Sequence, residues 1–348
     1  MARALILLLG LLAVSGCGQP EPQTYRQQLF AFGTLIDITL YDVDATQARE
    51  AIQAIDAMYQ RQHRDWHAWQ KGQLTALNQA IADGQSMAID PALITLLRMG
   101  QRFERDSGGL FNPAIGKLLQ LWGFQRDEVQ GPPPPAQAIE KLLAAAPSSL
   151  QLHIEGTTVS SDNPAVQLDF GGFAKGYSVG MAVALLEQRG IENLIVNAGG
   201  DLCLRGRHGD RPWRIGIRNP GDDPAGRGVL ASIELDKPVC VFTSGDYERF
   251  YVHAGKRYHH ILDPRSGYPA RGSTSVTVLA ADPALADAAA TALFVAGPDG
   301  WQAVAERMGI HDVLLMDEHG VAHVTPWLAE RLHFEQQPTA IEIVQLNR

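Results

Sequence analysis

The part of the chain after Leu150 is a series of short apolar runs separated by turns, and this pattern most constrains the fold. The runs have the length and β-branched content of strands, and they lie at 191–196, 213–217, 229–235, 239–243, 249–252, 275–280 and 313–316. Most of them follow one another through turns and look like strands of an antiparallel sheet. Any fold for this chain must therefore place such a sheet in its second half.

Helical patterns occur before and between these runs. The clearest is 91–105, where Pro91 occupies the first turn and Leu93, Leu96 and Leu97 are apolar positions of an amphipathic helix. Further helices are expected at 46–59, around Leu74, at 175–188, after Asp282 and at 301–308, with an early strand at 35–41. Helices mixed with runs of antiparallel strands predict an α+β fold of mixed or antiparallel sheets with packed helices, not a doubly wound sheet.

The N-terminus has the pattern of a bacterial secretory signal. Arg3 precedes a continuous apolar run from Ala4 to Ala13, which is too short for a typical membrane-spanning helix, and small residues then lead to Cys17. The arrangement resembles a lipoprotein signal and predicts a signal peptide at 1–16, a lipidated Cys17 and a tether at 17–27. An ordinary secretion signal or a short anchor is the alternative. The lipid would hold the protein on the periplasmic side of a bacterial membrane, with the choice of membrane left open.

The rest of the chain is long enough for a large core and is acidic. We expect a single domain at 28–340 and a short tail at 341–348. The net charge of −9 argues against a general nucleic-acid surface, although not against a local basic pocket for phosphates. Cys203 and Cys240 lie in strand-like runs, so we expect each to be a small buried side chain. The alternative is a disulfide between them, which an exported protein could form.

A glycine-rich turn, Asp169–Gly176, follows a short strand and opens a helix. Such a turn can present backbone N–H groups and the positive end of a helix dipole to an anion, and Lys175 would add a charge. The alternative is a structural turn in which Asp169 is a cap and Lys175 is solvated. The spacing matches neither a Walker A loop nor a G-x-G-x-x-G fingerprint. A second glycine pair, in Asn197–Asp201, is expected to make a turn.

Asp287 and Thr291 form a second candidate site at positions i and i+4 of a helical segment. That spacing places a carboxylate and a hydroxyl one turn apart on one face, and hard oxygen ligands of this kind suit Mg²⁺. The alternative is a surface aspartate and a threonine that is hydrogen-bonded to its own backbone.

Two adjacent histidines, His259 and His260, form a third candidate. In an extended segment they point to opposite faces, so at most one is expected to enter a site. His260 would then act as a general base, or else cap the following turn structurally. Ser244 lies in no G-x-S-x-G elbow, which disfavours a serine hydrolase.

In this order, the segments resemble the ApbE family of flavin transferases. The matching stretches are Phe32–Thr34, Asn78, Gly109–Pro113, Leu121–Phe124, Leu168–Tyr177, Asn197–Asp201, Thr243–Tyr247, His260–Pro264 with Gly267 and Pro269, and Ala286–Ala292. The resemblance spans nearly the whole mature chain. It implies an ApbE-like, T-fold-related architecture with two intertwined subdomains.

The family resemblance implies an enzyme that binds FAD and Mg²⁺, moves FMN onto a Ser or Thr hydroxyl of an acceptor protein, and releases AMP. Typical acceptors are subunits of the Na⁺-pumping quinone reductase (Nqr) and the Rnf complex. By the same resemblance, Asp287 and Thr291 would hold the metal with backbone oxygens near Gly172 and Ala290, and His260 would assist proton transfer. The implied FAD site comprises Phe32, Trp69, Leu110, Phe111, Asn112, Asp169, Lys175 and Leu262.

The sequence departs from the family pattern at three places. Phe32 replaces the usual Met, His67-Ala68-Trp69 replaces the usual Ser-x-Tyr, and Asn112 replaces the usual Asp. An aromatic side chain remains at the stacking position, so flavin binding is still expected. Two other functions use the same features: an Mg²⁺-dependent FAD pyrophosphatase that yields FMN and AMP, and a non-enzymatic FAD-binding lipoprotein.

Overall fold

A computed structural model describes residues 23–126, 128–129, 131–221 and 228–347. The predicted signal peptide and Cys17 lie outside these residues and stay predictions. The helices are α1 (Ala45–Trp66), α2 (Gln73–Ala82), α3 (Pro91–Ser107), α4 (Gly116–Leu121), α5 (Ala136–Ala144), α6 (Ala174–Gln188), α7 (Pro283–Ala296), α8 (Trp301–Met308) and α9 (Pro326–Ala329). The strands are β1 (Thr24–Ala31), β2 (Thr34–Tyr41), β3 (Met87–Ala88), β4 (Leu152–Glu155), β5 (Thr158–Ser161), β6 (Leu194–Ala198), β7 (Asp201–Arg205), β8 (Trp213–Arg218), β9 (Val229–Leu235), β10 (Val239–Gly245), β11 (Phe250–His253), β12 (Lys256–His259), β13 (Ser273–Ala280), β14 (Asp312–Asp317), β15 (Val321–Val324), β16 (His333–Phe334) and β17 (Ala340–Ile343).

A nine-stranded sheet forms the centre of the molecule, with the strand order β1-β2-β6-β7-β10-β13-β14-β15-β17. Neighbouring strands are antiparallel, except that β15 and β17 at one edge are parallel. Smaller sheets have the orders β16-β9-β8, β3-β5-β4 and β11-β12. The predicted α+β class, with mixed or antiparallel sheets and packed helices, is confirmed.

Both faces of the large sheet are covered. Because side chains alternate along a strand, Ile36, Ile38 and Phe242 are buried against the helical layer, while Leu202 and Val241 face the β8-β9-β16 sheet. A separate small core lies where α4, α5 and the β11–β12 hairpin meet, and it is built around Trp122, Phe124 and Tyr251. This small core supports the hairpin that leads into the candidate site.

Two strands lie at the predicted ends of the domain. β1 begins at Thr24, inside the predicted tether, and pairs along its whole length with β2. β17 extends to Ile343, inside the predicted tail, and pairs with β15. Both strands are largely exposed, so backbone pairing rather than an apolar face holds them in the sheet, and the hydrophobic pattern gave no sign of them.

Cys203 and Cys240 form a disulfide, which corrects the preference for two separate buried cysteines. They are direct partners in the ladder between β7 and β10, with their Cα atoms 4.0 Å apart. The sequence placed both residues in strands, but only the register of the sheet sets them opposite each other. The bond ties together the two strands that carry Asp201 and Ser244.

Candidate active site

The N-terminus of α6 lies directly against the first turns of α7 because glycines on α6 leave room for the contact. A Cβ atom on Gly176 would lie 2.3 Å from the backbone oxygen of Pro283 and 2.9 Å from Cβ of Asp287. A Cβ on Gly180 would lie 2.6 Å from Cγ of Pro283. The close approach lets the N–H of Gly176 donate to Oδ2 of Asp287 over 2.8 Å. A carboxylate of one helix is thereby fixed at the positive end of another.

We expect Gly176→Ala to destabilise the protein by roughly 2–3 kcal/mol, because the added methyl group must displace backbone of α7. The free energy of unfolding in urea measures the effect. Gly216→Ala is the matched control, since a Cβ there meets nothing closer than 3.6 Å. Equal stability of the two variants would contradict the tight contact between α6 and α7.

Lys175, at the start of α6, is surrounded by carboxylates. Its ammonium group forms an ion pair with Asp201, and the other carboxylate oxygen of Asp201 accepts the N–H of Thr243 over 2.8 Å. Asp287 and Glu248 act electrostatically on the same ammonium group. Three carboxylates for one ammonium leave this cluster with an excess of negative charge. Lys175 therefore neutralises part of the charge of these carboxylates. A phosphate would not be its only ionic partner.

The protonation of this cluster follows from its burial and its charges. Burial alone would lower the pKa of Lys175, but the three carboxylates together raise it above its ordinary value. Burial raises the pKa of Asp287 to about 7, although the charge of Lys175 opposes the shift. A cation next to Asp287 would favour the ionised carboxylate, since opposite charge stabilises that form.

Two hydroxyl groups lie together next to Asp287. Oγ of Ser244, on β10, is 3.2 Å from Oγ1 of Thr291, one helical turn beyond Asp287. Gly172 packs against the same place, since a Cβ on it would be 3.7 Å from Oγ1 of Thr291. Ala290 is buried in the intervening turn of α7. Carboxylate, hydroxyl and backbone oxygens are the donors that Mg²⁺ prefers, so the residues present fit this ion.

The donor set is incomplete on its own. Among the described residues there is no group of three or more His, Cys, Asp and Glu side chains that could hold a metal. A cation at Asp287 would therefore need hydroxyl and backbone oxygens, together with oxygens of a bound ligand or water. Mg²⁺ commonly binds in this way, through one or two carboxylates and substrate phosphates.

His260 lies at the base of the β11–β12 hairpin. Its Nδ1 is 3.2 Å from the carbonyl oxygen of Arg249, and its backbone N–H donates to the same oxygen over 3.0 Å. Because a carbonyl only accepts, Nδ1 carries the proton and Nε2 keeps a free lone pair. Burial, assisted by the charge of Arg249, lowers the pKa of His260 to about 3. The ring is therefore neutral at physiological pH, and the lone pair of Nε2 is unprotonated.

The neighbouring histidine has a separate role. His259 is buried, and its Nε2 donates to the carbonyl oxygen of Ala270 over 2.8 Å. The positive charge of Lys175 contributes to the lowered pKa of His260, so His260 lies within electrostatic range of the acidic cluster. Of the two histidines, only His260 lies in the candidate site.

The glycine-rich turn before α6 is fixed from two sides. The side-chain amide of Asn78 donates to the carbonyl oxygen of Leu168 over 2.9 Å and accepts its N–H over 2.7 Å. Asp169 accepts the N–H of Gly171 over 2.7 Å and a hydrogen bond from the side chain of Trp69. Burial raises the pKa of Asp169, although these hydrogen bonds oppose the shift. Asn78 therefore supports the turn, while Trp69 joins it to an aromatic cluster.

That aromatic cluster consists of Phe32, His63, His67 and Trp69. The ring centroids of Phe32 and His63 are 6.0 Å apart, and those of His63 and His67 are 5.2 Å apart. The backbone N–H groups of Phe32 and Trp69 donate to Nδ1 of His63 and His67, respectively, over 3.2 and 3.0 Å. The two predicted aromatic contacts, Phe32 and Trp69, are thus connected through His63 and His67, and Trp69 is the one that interacts with Asp169.

The other predicted FAD-site residues are largely buried: Leu110, Phe111, Asn112 and Leu262. The side-chain amide of Asn112 donates to the carbonyl oxygen of Pro147 over 2.9 Å and accepts the N–H of Ala114 over 2.8 Å. Asn112, at which the sequence departs from the family pattern, thus hydrogen-bonds to the backbone of Pro147 and Ala114.

Sequence reasoning missed three residues of the candidate site: Asp201, Glu248 and Arg249. Asp201 begins β7 directly after the glycine turn, and its carboxylate is the only signal that the sequence offers there. Glu248 and Arg249 lie between two recognised motifs, and the strand-like run that begins at Arg249 carries no signal of a site. Their place near Lys175 and His260 depends on how β10 and the hairpin pack.

The chain belongs to the ApbE family, whose model matches residues 32–315. It is 42% identical over 335 residues to a Rhodobacter capsulatus protein named FAD:protein FMN transferase, and the alignment covers 94% of this chain but 62% of that relative. A Treponema pallidum (strain Nichols) protein of the same name is 32% identical over 312 residues, with 84% of each chain covered. The predicted family and enzyme class are confirmed.

Solved structures have the same fold. The ApbE protein of Thermotoga maritima superposes with a TM-score of 0.79 at 33% identity, covering 90% of this chain and all (100%) of that one. The flavin transferase ApbE from Vibrio cholerae superposes with a TM-score of 0.77 at 27% identity, covering 89% of this chain and 99% of that one. The predicted ApbE-like architecture is therefore confirmed.

Proposed function

We propose that the protein transfers the FMN half of FAD to a Ser or Thr hydroxyl of an acceptor flavoprotein, with Mg²⁺ as cofactor and AMP as the leaving group. The observation that carries the proposal is that Asp287 bonds to the N-terminus of α6 while the hydroxyls of Thr291 and Ser244 bond to each other one turn further along α7. That arrangement places oxygen donors for a cation beside a helix end suited to phosphate.

Asp287 and Thr291 would hold Mg²⁺ together with backbone oxygens near Gly172 and Ala290. When bound, the ion would neutralise the charge of the FAD diphosphate during cleavage. The excess of carboxylates around Lys175 supports a cation here, because opposite charge would offset it. Phosphate oxygens of the substrate would complete the coordination.

The glycine-rich turn would bind the diphosphate through its backbone. The N–H groups of Gly171, Ala174 and Gly176 are bonded within the protein. Those of Gly172 and Lys175 have no backbone or side-chain acceptor in the part of the chain that the structure describes, so these two are the donors we assign to a phosphate oxygen. Asp169 would keep the turn in shape through its bond to Gly171. Phe32 and Trp69 would line the flavin.

His260 would serve as the general base. Its Nε2 would take the proton of the acceptor hydroxyl while that oxygen attacks the phosphorus of the FMN phosphate. The bond from phosphorus to the bridging oxygen breaks, and AMP leaves with that oxygen and its electron pair. Ser244 is hydrogen-bonded to Thr291 rather than to a base, which supports direct transfer without a covalent enzyme intermediate.

Hydrolysis of FAD to FMN and AMP is the second candidate function. It needs the same site with water in place of the acceptor hydroxyl. The partial exposure of His260 favours this reaction when no acceptor covers the cleft. Rapid release of free FMN without acceptor, and no transfer with it, would identify the protein as a pyrophosphatase.

We further propose a lipid-anchored protein on the periplasmic side of a bacterial membrane, with a subunit of the Nqr or Rnf type as acceptor. The Cys17 signal supports this location, as does the Cys203–Cys240 disulfide, because disulfides persist in oxidising compartments. In the described residues, no helix combines the length and apolar character needed to cross a bilayer.

Mass spectrometry of a purified acceptor subunit after incubation with FAD and Mg²⁺ tests the proposed transfer. We expect a gain of one FMN mass on a Ser or Thr, with AMP in the supernatant, and loss of the gain when EDTA removes the metal. Restoration by added Mg²⁺ is the control for EDTA. No gain on Nqr-type and Rnf-type subunits, with FAD bound, would overturn the proposal.

A further inference from the structure

Arg249 and His260 lie opposite each other at the open end of the β11–β12 hairpin. They are one position beyond the last pair of the ladder, Phe250 with His259, and the N–H of His260 donates to the carbonyl oxygen of Arg249. Directly opposed residues of an antiparallel pair point their side chains to the same face. Both side chains therefore share the face on which Tyr251 packs into the small core.

The guanidinium of Arg249 binds residues 122–126, the segment that follows α4. Its Nη2 donates to the carbonyl oxygen of Phe124 and, over 3.3 Å, to that of Arg126. These partners are 125 and 123 residues away in the chain. A planar guanidinium has several N–H donors in fixed directions, so it can hold carbonyl groups in place. The side chain thus ties the base of the hairpin to this segment.

Phe124 also contacts His260, so Arg249, Phe124 and His260 are in contact pairwise. The Phe124 ring lies edge-on to the imidazole, with the centroids 6.4 Å apart and an angle of 69° between the planes. Trp122 stacks on Phe124, and its Nε1 donates to the carbonyl oxygen of Gly267 over 2.7 Å. Loss of the guanidinium would therefore release both the Phe124 backbone and the carbonyl that binds Nδ1 of His260.

The charge of Arg249 acts on the same imidazole. Burial is the largest cause of the lowered pKa of His260, and the charge of Arg249 is the next. His259 and Lys175 lower that pKa further, whereas the hydrogen bond to the Arg249 carbonyl opposes the shift. The residue that accepts the Nδ1 proton thus also disfavours a second proton on the ring, because like charges repel.

We propose that Arg249 is the positioning residue for His260. Its guanidinium holds the base of the hairpin against residues 122–126, so that its carbonyl keeps the ring proton on Nδ1 and leaves Nε2 as the acceptor. A base must lie within hydrogen-bond reach of the proton that it takes, so its placement affects the rate directly. This inference rests on the proposed transferase function and adds which residue prepares the base.

The kinetics of two Arg249 variants of the full chain test the proposal. Arg249→Met should lower kcat for FMN transfer by about 10- to 10²-fold, because it displaces the base, and should change KM for FAD much less. Arg249→Lys keeps the positive charge but replaces the planar group with a point charge. It should recover part of the lost kcat.

NMR of the isotope-labelled imidazole nitrogens reports the state of His260 directly, with the signals assigned by their absence in His260→Asn. We expect the proton on Nδ1 in the wild type and a mixture of both tautomers in Arg249→Met, with Arg249→Lys between them. The Met variant should also bind a second proton at higher pH than the wild type, because the repelling charge is gone. The Lys variant keeps that charge and should not.

Arg207→Met is the matched control. Arg207 is likewise exposed and likewise joins two loops, since it donates to the carbonyl oxygen of Asp210 over 2.7 Å and pairs with Asp236 over 3.0 Å. It follows the end of β7, whereas Asp201 begins that strand. The control should leave both kcat and the tautomer of His260 unchanged.

Wild-type kcat and tautomer in the Arg249 variants would overturn the positioning role, and Arg249→Lys alone decides this if Arg249→Met does not fold. A slower Arg249→Met whose imidazole keeps the wild-type tautomer and pH of protonation would also overturn it, because the effect would then be merely structural. Absence of transfer by the wild type to any intact acceptor subunit contradicts the proposed function instead. The NMR comparison would still report whether Arg249 sets the state of His260.

Discussion

Asp287→Asn is expected to lower the rate of FMN transfer by about 10³-fold, corresponding to loss of about 4 kcal/mol of transition-state stabilisation by the metal. The amide oxygen of Asn still accepts the N–H of Gly176, so the contact between α6 and α7 is kept while the charge is lost. The measurement is the rate of FMN mass gain on an acceptor subunit at saturating FAD. The Mg²⁺ concentration for half-maximal rate should rise as well.

Asp282→Asn is the control for this substitution. Asp282 caps the same helix, α7, by accepting the N–H groups of Ala284 and Leu285, and Asn is an equally good cap. The control removes one negative charge from the same helix but leaves the candidate site untouched. Similar losses in both variants, or full activity of Asp287→Asn, would contradict a metal-binding role for Asp287.

His260→Asn should lower the rate of transfer by about 10²- to 10⁴-fold, the usual contribution of a general base. The Asn amide can still donate to the carbonyl oxygen of Arg249, as Nδ1 does, but nothing replaces Nε2. We expect FAD binding, followed by flavin fluorescence, to change little. His259→Gln is the matched control: it can keep the hydrogen bond to Ala270 but loses the ring contact with Phe294, so it should lower stability and leave the transfer rate unchanged.

The pH dependence of the His260 effect has a definite sign. Because the pKa of His260 is lowered to about 3, the ring stays unprotonated from pH 8 down to pH 5. The ratio of wild-type to His260→Asn rates should therefore be constant over that range and fall only in stronger acid. Other titrating groups affect both proteins alike and cancel in the ratio. A ratio that drops with a midpoint near the ordinary histidine pKa, about 6.5, would contradict the lowered pKa.

Several features of the site could be read from local sequence because they depend on residues a few positions apart. The glycine turn that opens α6 and the one-turn spacing of Asp287 and Thr291 follow from glycine placement and helical period. The short strand predicted before Asp169 is wrong, because the backbone there forms only an isolated bridge between Ile115 and Gln167. The resemblance to the ApbE family then ordered these pieces into a proposed FAD and Mg²⁺ site. The α+β class, the helices α6, α7 and α8, and the strands β6, β8, β9, β10, β11, β13 and β14 were likewise predictable from periodicity.

Other features depend on contacts between distant parts of the chain. The two oxygens of Asp201 bond to Lys175 and Thr243, which lie 26 and 42 residues away. The amide of Asn78 supports Leu168, 90 residues away. No local pattern reports such pairs, because their partners are chosen by sheet register and helix packing. The exposed edge strands β1 and β17 escaped prediction because they bury little apolar surface.

The sequence by itself determined which elements form and which side chains they can offer on one face, since hydrogen bonding and hydrophobic alternation act over a few residues. It also carried the family's motifs in order. Only the tertiary structure decided that Gly176 bonds to Asp287, that Cys203 lies opposite Cys240, and that His260 bonds to Arg249 while His259 is buried against Ala270. Those outcomes required close packing between segments far apart in the chain, where a glycine, a strand register or a single hydrogen bond sets the geometry.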